Sequence, residues 1–408
     1  MDNKTRLKLS LYINYFVFAI LLNSVGIVIL KSRQEYGVDE VTASTLELFK
    51  DLSIAIISFF IASFLPRIGY KKAMLFGLGL VTFGSVMMYF GNSFASARLL
   101  FALVGISFAL IKVSIYSMIG LVTSNEKEHS SLMSSIEGVF MFGIALAYFI
   151  FPAFNNDAEP GSWLKVYWLL AAMSTVSFLF LYFTKFTEVG EISGRNLAED
   201  AKQMFALFAT VLVAVFVLSA FLFVMVEQGI MTWLPTFNKE VLKLSTNVSI
   251  MMASILAITS GVGRMLAGFI TKKYPWHYVL MVCICCAMAL VVFVLPKMVS
   301  LPPVNVENLA DIPLIAYAFP LVGLFLAPIY PLLNSAVLSA LPQKLHSAMT
   351  GLIVIFSALG GTIGSRIVGY LFREYGPEKG FYFTLIPMII LMICMYVLRR
   401  ITQKQVVK

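Results

Sequence analysis

Apolar residues run in long, nearly unbroken blocks instead of recurring at a helical or strand period. Blocks of about 20 residues or more fall at 10–30, 44–66, 72–92, 96–122, 131–153, 163–185, 205–236, 246–271, 276–297, 312–340, 347–371 and 379–400. A helix needs about 20 residues to cross a ~30 Å hydrocarbon core, and it satisfies its own backbone groups while doing so. The pattern therefore predicts twelve transmembrane helices. The second block is the least apolar, because it holds Glu47, Lys50 and Asp51. The longest polar stretch, FTEVGEISGRNLAEDAKQ, lies between the sixth and seventh blocks. It divides the chain into a six-helix bundle at 1–185, a cytoplasmic linker at 186–204 and a second six-helix bundle at 205–408.

The two halves repeat one another. FALVGISFALI at 101–111 returns as FPLVGLFLAPI at 319–329, HSSLMSSI at 129–136 as HSAMTGLI at 346–353, and ASFLPR at 62–67 as AGFITK at 267–272. The order is kept and the shift is about half the chain, so the bundles are read as a duplication. Parallel repeats around a central site are one of the basic transporter designs.

Composition agrees: 60% of residues are hydrophobic and 12% charged, against about 25% charged in soluble domains. A net charge of +9 raises the question of nucleic acid. The placement of Lys and Arg answers it. The termini and even-numbered loops, which include Lys4, Arg6, Lys8, Lys71, Lys72, Arg399 and Arg400, carry about twice as many as the opposite loops. By the positive-inside rule both termini are cytoplasmic. The first block is too long for a cleaved leader and no cleavage signal follows, so it is read as a span. Cys283, Cys285, Cys286 and Cys394 all sit in apolar blocks, with no disulfide or metal spacing. No cofactor is expected. P-loop, HExxH and GxSxG patterns are absent, which gives no support to ATP drive or an enzyme.

Twelve spans, a 6+6 duplication and a mid-chain linker together resemble the major facilitator superfamily over essentially the whole chain. FLPRIGYKKAML at 64–75 is similar to the signature after its second span, with Gly69 and the basic cluster but without the usual Asp. GVGRMLAGFITKK at 261–273 is the equivalent after span eight. RIGYKKAMLFGLGL at 67–80, VEQGIMTWLPTF at 226–237 and APIYPLLNSAVLSALP at 327–342 resemble the fucose–galactose–glucose:proton symporters. The resemblance implies an all-α membrane protein with two pseudo-symmetric six-helix bundles. It implies a monomer in a bacterial inner membrane, taking up a sugar with a proton. That family keeps a first-span Asp and a fourth-span Glu. This chain has Asn23 in the first place, and Lys112 near the second.

The candidate site residues are the polar groups inside the spans. A charge at the depth of Lys112 costs roughly 2.5–3.5 kcal/mol, so such residues are functional candidates. Folding the hairpin about residue 126 brings Glu137 to about 4.5 Å along the axis from Lys112, close enough for an ion pair if the faces agree. The repeat counterpart of Lys112 is Tyr330, so the charge belongs to one half only. It is expected to offset a carboxylate on the substrate, with Tyr116 one turn on. Glu47, Lys50 and Asp51 share a helix face, and Asp51 is level with Asn23. Asp51, Glu137 and Glu47 are the candidate proton-coupling acids. Glu227, Gln228 and Trp233 combine carboxylate, amide and aromatic face as a sugar site does. Tyr330 and Asn334 are candidates in the second half, and Arg67, Arg264 and Lys272 are candidate gating residues. The structural alternatives are a static ion pair, a solvated helix end and an interfacial aromatic belt. The reading is proton-coupled uptake of a monosaccharide or acidic sugar derivative by alternating access. A drug or metabolite:proton antiporter working as an exporter, or a proton-independent uniporter, remain open.

Overall fold

A computed structural model describes residues 3–122, 126–185, 210–271, 273–301, 312–338 and 346–406. The expected linker at 186–204 lies outside them. Contacts divide the chain into two compact units, Met1–Gly37 with Thr45–Leu197, and Val38–Ser44 with Ala198–Lys408.

The first unit opens with a span built from two helices, α1 (Asn3–Asn23) and α2 (Val25–Tyr36), interrupted at Ser24. The short α3 (Glu40–Ala43) groups with the second unit. Then come α4 (Thr45–Ile68), α5 (Tyr70–Gly91), α6 (Phe94–Val122), α7 (Glu126–Phe154) and α8 (Val166–Phe183). Phe76, Phe83 and Phe90, two turns apart on α5, are exposed. In a membrane this stripe faces lipid, where apolar side chains meet no penalty. The opposite face of α5, with Met74, Leu78, Val81 and Met88, is buried.

The second unit contains α9 (Val211–Glu240), α10 (Thr246–Ile270) and α11 (Trp276–Ala289). The span of α11 passes through a π-helical turn at Leu290–Val294 into α12 (Leu295–Val299). The next span is also discontinuous. It starts with 3₁₀ turns at Leu314–Tyr317 and Phe319–Leu321, then α13 (Val322–Leu326) and α14 (Ile329–Leu338). Pro328, with no N–H to donate, stands at the break between the last two. The unit ends with α15 (His346–Tyr375), α16 (Pro377–Gly380) and α17 (Leu385–Val406). An aromatic core of Trp233, Phe237, Phe319, Phe372 and Phe381 ties α9 to α15, with Trp233 5.3 Å from Phe372 and Phe237 5.1 Å from Phe381 between ring centroids.

Among the described residues, eleven helical segments are long and apolar enough to cross a membrane. α4 is the twelfth span. Its 24 residues rise about 36 Å, enough to cross the hydrocarbon core. The chain is an all-α integral membrane protein of twelve spans. The repeat shows in the packing. A Cβ on Gly105 of α6 would strike the Lys50 carbonyl of α4, and a Cβ on its counterpart Gly323 would strike the Leu256 carbonyl of α10. In each half a glycine lets two backbones touch, as small residues do between membrane helices.

Candidate functional site

In the first unit, three spans meet at Glu137. The Tyr15 hydroxyl of α1 donates to Glu137 Oε1 at 3.0 Å. The Tyr116 hydroxyl of α6 donates to the same oxygen. The two tyrosine oxygens are 3.3 Å apart. Tyr15 is fully buried, its ring 4.5 Å from Phe140 and 6.2 Å from Phe108. A buried phenol needs a partner for its hydroxyl, and Glu137 supplies it. The Lys112 ammonium lies over ring faces, 5.6 Å from the Phe108 centroid and 5.8 Å from that of Tyr116. Lys112 stands on the Tyr116 ring and the hydroxyl of Tyr116 reaches Glu137, so the two charged groups are linked through Tyr116. A cation on an aromatic face gains about 0.5–2 kcal/mol depending on its desolvation.

The α4 charges form a second cluster in this unit. Lys50 pairs with Glu47, three residues earlier, and stands 3.4 Å from Asp51 Oδ1. The Glu47 and Lys50 side chains are at most 4% exposed, so this is no solvated helix end. Two carboxylates share one ammonium. Asn23 donates to the Ala19 carbonyl of its own helix at 2.9 Å, just before the break at Ser24.

The second unit joins a binding candidate to a gating candidate. Glu227 Oε1 of α9 lies 3.8 Å from Arg264 Nη2 of α10, and both side chains are partly open, 22% and 34% exposed. Gln228 beside Glu227 is partly buried. One turn before Glu227, Phe223 stacks on Tyr330 with centroids 5.7 Å apart, and the Ser357 hydroxyl lies 3.4 Å from that of Tyr330. Asn334 Oδ1 is buried with no hydrogen-bond partner among the described residues. An orphaned acceptor of this kind costs about 1–3 kcal/mol. Trp233 is wholly buried, and its indole N–H donates to the Ser365 carbonyl at 2.8 Å. Its place is inside the aromatic core, where it holds α9 on α15.

Of the gating candidates, Arg67 belongs to α4 with its side chain outside the described part, and Lys272 lies outside the described residues altogether. Neighbouring Lys71 caps the end of α8, donating to the carbonyls of Tyr182 at 2.9 Å and Thr184 at 2.8 Å. A cation there meets the negative end of the helix dipole. Tyr15, Phe108, Phe140 and Ser357 were not singled out from the sequence. The signal for Tyr15 was present, since Asn14-Tyr15 puts two polar tips into the first apolar block.

The family model of the Major Facilitator Superfamily matches residues 11–364. The glucose/mannose transporter GlcP of Bacillus subtilis (strain 168) is 22% identical over 263 residues, covering 62% of this chain. That match spans 60% of the relative's own length. A bacterial homolog of the human lysosomal transporter Spinster superposes with TM-score 0.77 at 15% identity, covering 99% of this chain and 98% of the other. The D-xylose-proton symporter gives 0.70 at 14%, covering 97% of each chain. FucP in its outward conformation gives 0.65 at 13%, covering 97% of this chain and 99% of the other. At these identities the structural likeness establishes the fold.

Proposed function

Because the chain belongs to the Major Facilitator Superfamily, we propose that it carries a monosaccharide or an acidic sugar derivative inward together with a proton, by alternating access. As a member of that family it is a transporter and not an enzyme. The observation that carries the proposal is the Tyr15–Tyr116–Glu137 cluster with Lys112 on its aromatic faces. Titratable groups buried among apolar spans are costly, and they mark substrate and proton paths. The cluster joins a carboxylate that takes and releases a proton to an ammonium that donates to cargo oxygens. The second unit carries polar groups of its own, a hydroxyl, a carboxylate and a guanidinium at Tyr330, Glu227 and Arg264, and the orphaned acceptor of Asn334 calls for a donor such as a sugar hydroxyl. Glucose/mannose transport by GlcP, at 22% identity, supports a sugar cargo. The protein acts as a monomer in the bacterial inner membrane with both termini cytoplasmic.

Purified protein in liposomes tests this. An imposed inward proton gradient is expected to drive accumulation of labelled hexose or hexuronate. Glu137→Gln is expected to keep counterflow and lose gradient-driven uptake, with Asp51→Asn and Glu47→Gln as parallel arms. If wild-type protein accumulates neither sugar class under the gradient, the reading is wrong.

A further inference from the structure

The two ion clusters inside the spans differ in build. Glu47 and Lys50 form a tight contact sealed from solvent. Glu227 and Arg264 make one loose contact at 3.8 Å and both remain partly open. Ionisable groups within spans almost always face the bundle interior or a water-filled cavity, so the partial exposure of this pair is read as facing a cavity. A guanidinium offers five donors in a planar fork suited to a carboxylate, and Glu227 engages it through one distant oxygen. Lys112, by contrast, is seated on aromatic faces.

We infer that Arg264 is the binding site for a carboxylate on the cargo, with Glu227 as its resident placeholder. The inference rests on the sugar-transport reading and names the group that tells acidic from neutral sugars. An arriving hexuronate exchanges with Glu227 on Arg264. The displaced Glu227 carboxylate then has no counter-charge and takes a proton from hydronium or a buffer acid of the bulk solution, forming an O–H bond and leaving water or the buffer's conjugate base behind. One anion and one proton enter the site together, with no net change in charge. Among the described residues, Arg264 of α10 is the charged group that faces Glu227; Tyr330 of α14 stacks on Phe223 one turn away. A neutral hexose leaves the pair intact and brings no such proton.

The experiment is binding of glucuronate and of glucose to the full-length protein in detergent. Affinity is read by thermal shift and proton uptake by a pH indicator in weak buffer. Wild type is expected to take up about one more proton per glucuronate than per glucose. Glu227→Gln is expected to bind glucuronate as well or better and to lose that extra proton. Arg264→Gln is expected to weaken glucuronate about tenfold or more, and by more than it weakens glucose. Arg264→Lys, which keeps charge without the fork, should fall between. Equal proton uptake for both sugars in wild type overturns the inference. So does a selective loss of glucuronate in Lys112→Gln that Arg264→Gln does not show. Glucose binding with no glucuronate binding also overturns it while leaving the transport reading intact; binding of neither sugar removes both.

Discussion

Tyr15 and Tyr116, a hundred residues apart on different spans, place their hydroxyls on the same carboxylate oxygen of Glu137. The acid accepts from two phenols, and the Lys112 ammonium stands over the ring of one of them.

Tyr15→Phe keeps the ring box and removes one donor. The expected loss of stability is about 1 kcal/mol, the net value of one hydrogen bond. Gradient-driven uptake in liposomes should fall more than counterflow. Unchanged uptake together with unchanged melting would show that the hydroxyl does not position Glu137.

Lys50 neutralises two carboxylates, so its removal leaves buried charge. Lys50→Met alone is expected to destabilise by about 3–5 kcal/mol, and more than the double change Glu47→Gln/Lys50→Met. Thermal unfolding of the purified variants checks the order. A double variant less stable than either single would refute it.

Gly105→Val and Gly323→Val should each push a side chain into a facing carbonyl. Overpacking of this kind costs typically 1–3 kcal/mol. Fluorescence-detected size exclusion after graded heating should show both variants aggregating at lower temperature, while Gly79→Val, with open space around it, should not.

Asp39, between the first two spans, caps α3. Its carboxyl is held below the usual carboxylate range, first by the Thr42 hydroxyl at 2.6 Å, then by the backbone N–H groups of Thr42 and Val41, and last by Arg373 at 3.7 Å. A depressed folded-state value gives stability that is fully present above the unfolded carboxylate value of about 3.9. That stability is lost as pH falls through the folded value. Wild type and Asp39→Asn should therefore differ by a constant amount from pH 5 to 8 and converge below about pH 4. Melting temperatures measured across that range decide it; a difference that grows on acidification would be the wrong sign.

The spans and the duplication were legible because block length and repeated segments are local properties of the chain. The axial level of Lys112 against Glu137 was also legible, since antiparallel hairpins share a rise per residue. What the sequence could not supply was rotation about each helix axis and partners from a third span. Tyr15 enters the Glu137 cluster from α1, and no hairpin geometry relates it to α7. Trp233 went astray for a related reason. Its indole needs a buried acceptor, and that acceptor is a carbonyl of α15, 132 residues away. The α4 charges read as a helix end because length alone does not show how deeply neighbouring helices cover them.

The contact of Gly105 with the Lys50 carbonyl also has a mechanical side. Two backbones in van der Waals touch cannot slide past one another without climbing over the side chains on either side, so α4 and α6 translate and tilt as one piece. Lys50 rides on one and Lys112 on the other. Within the first unit, the spacing between these two cations is therefore fixed by the backbone contact, and any rearrangement of the bundle has to take place at its other seams.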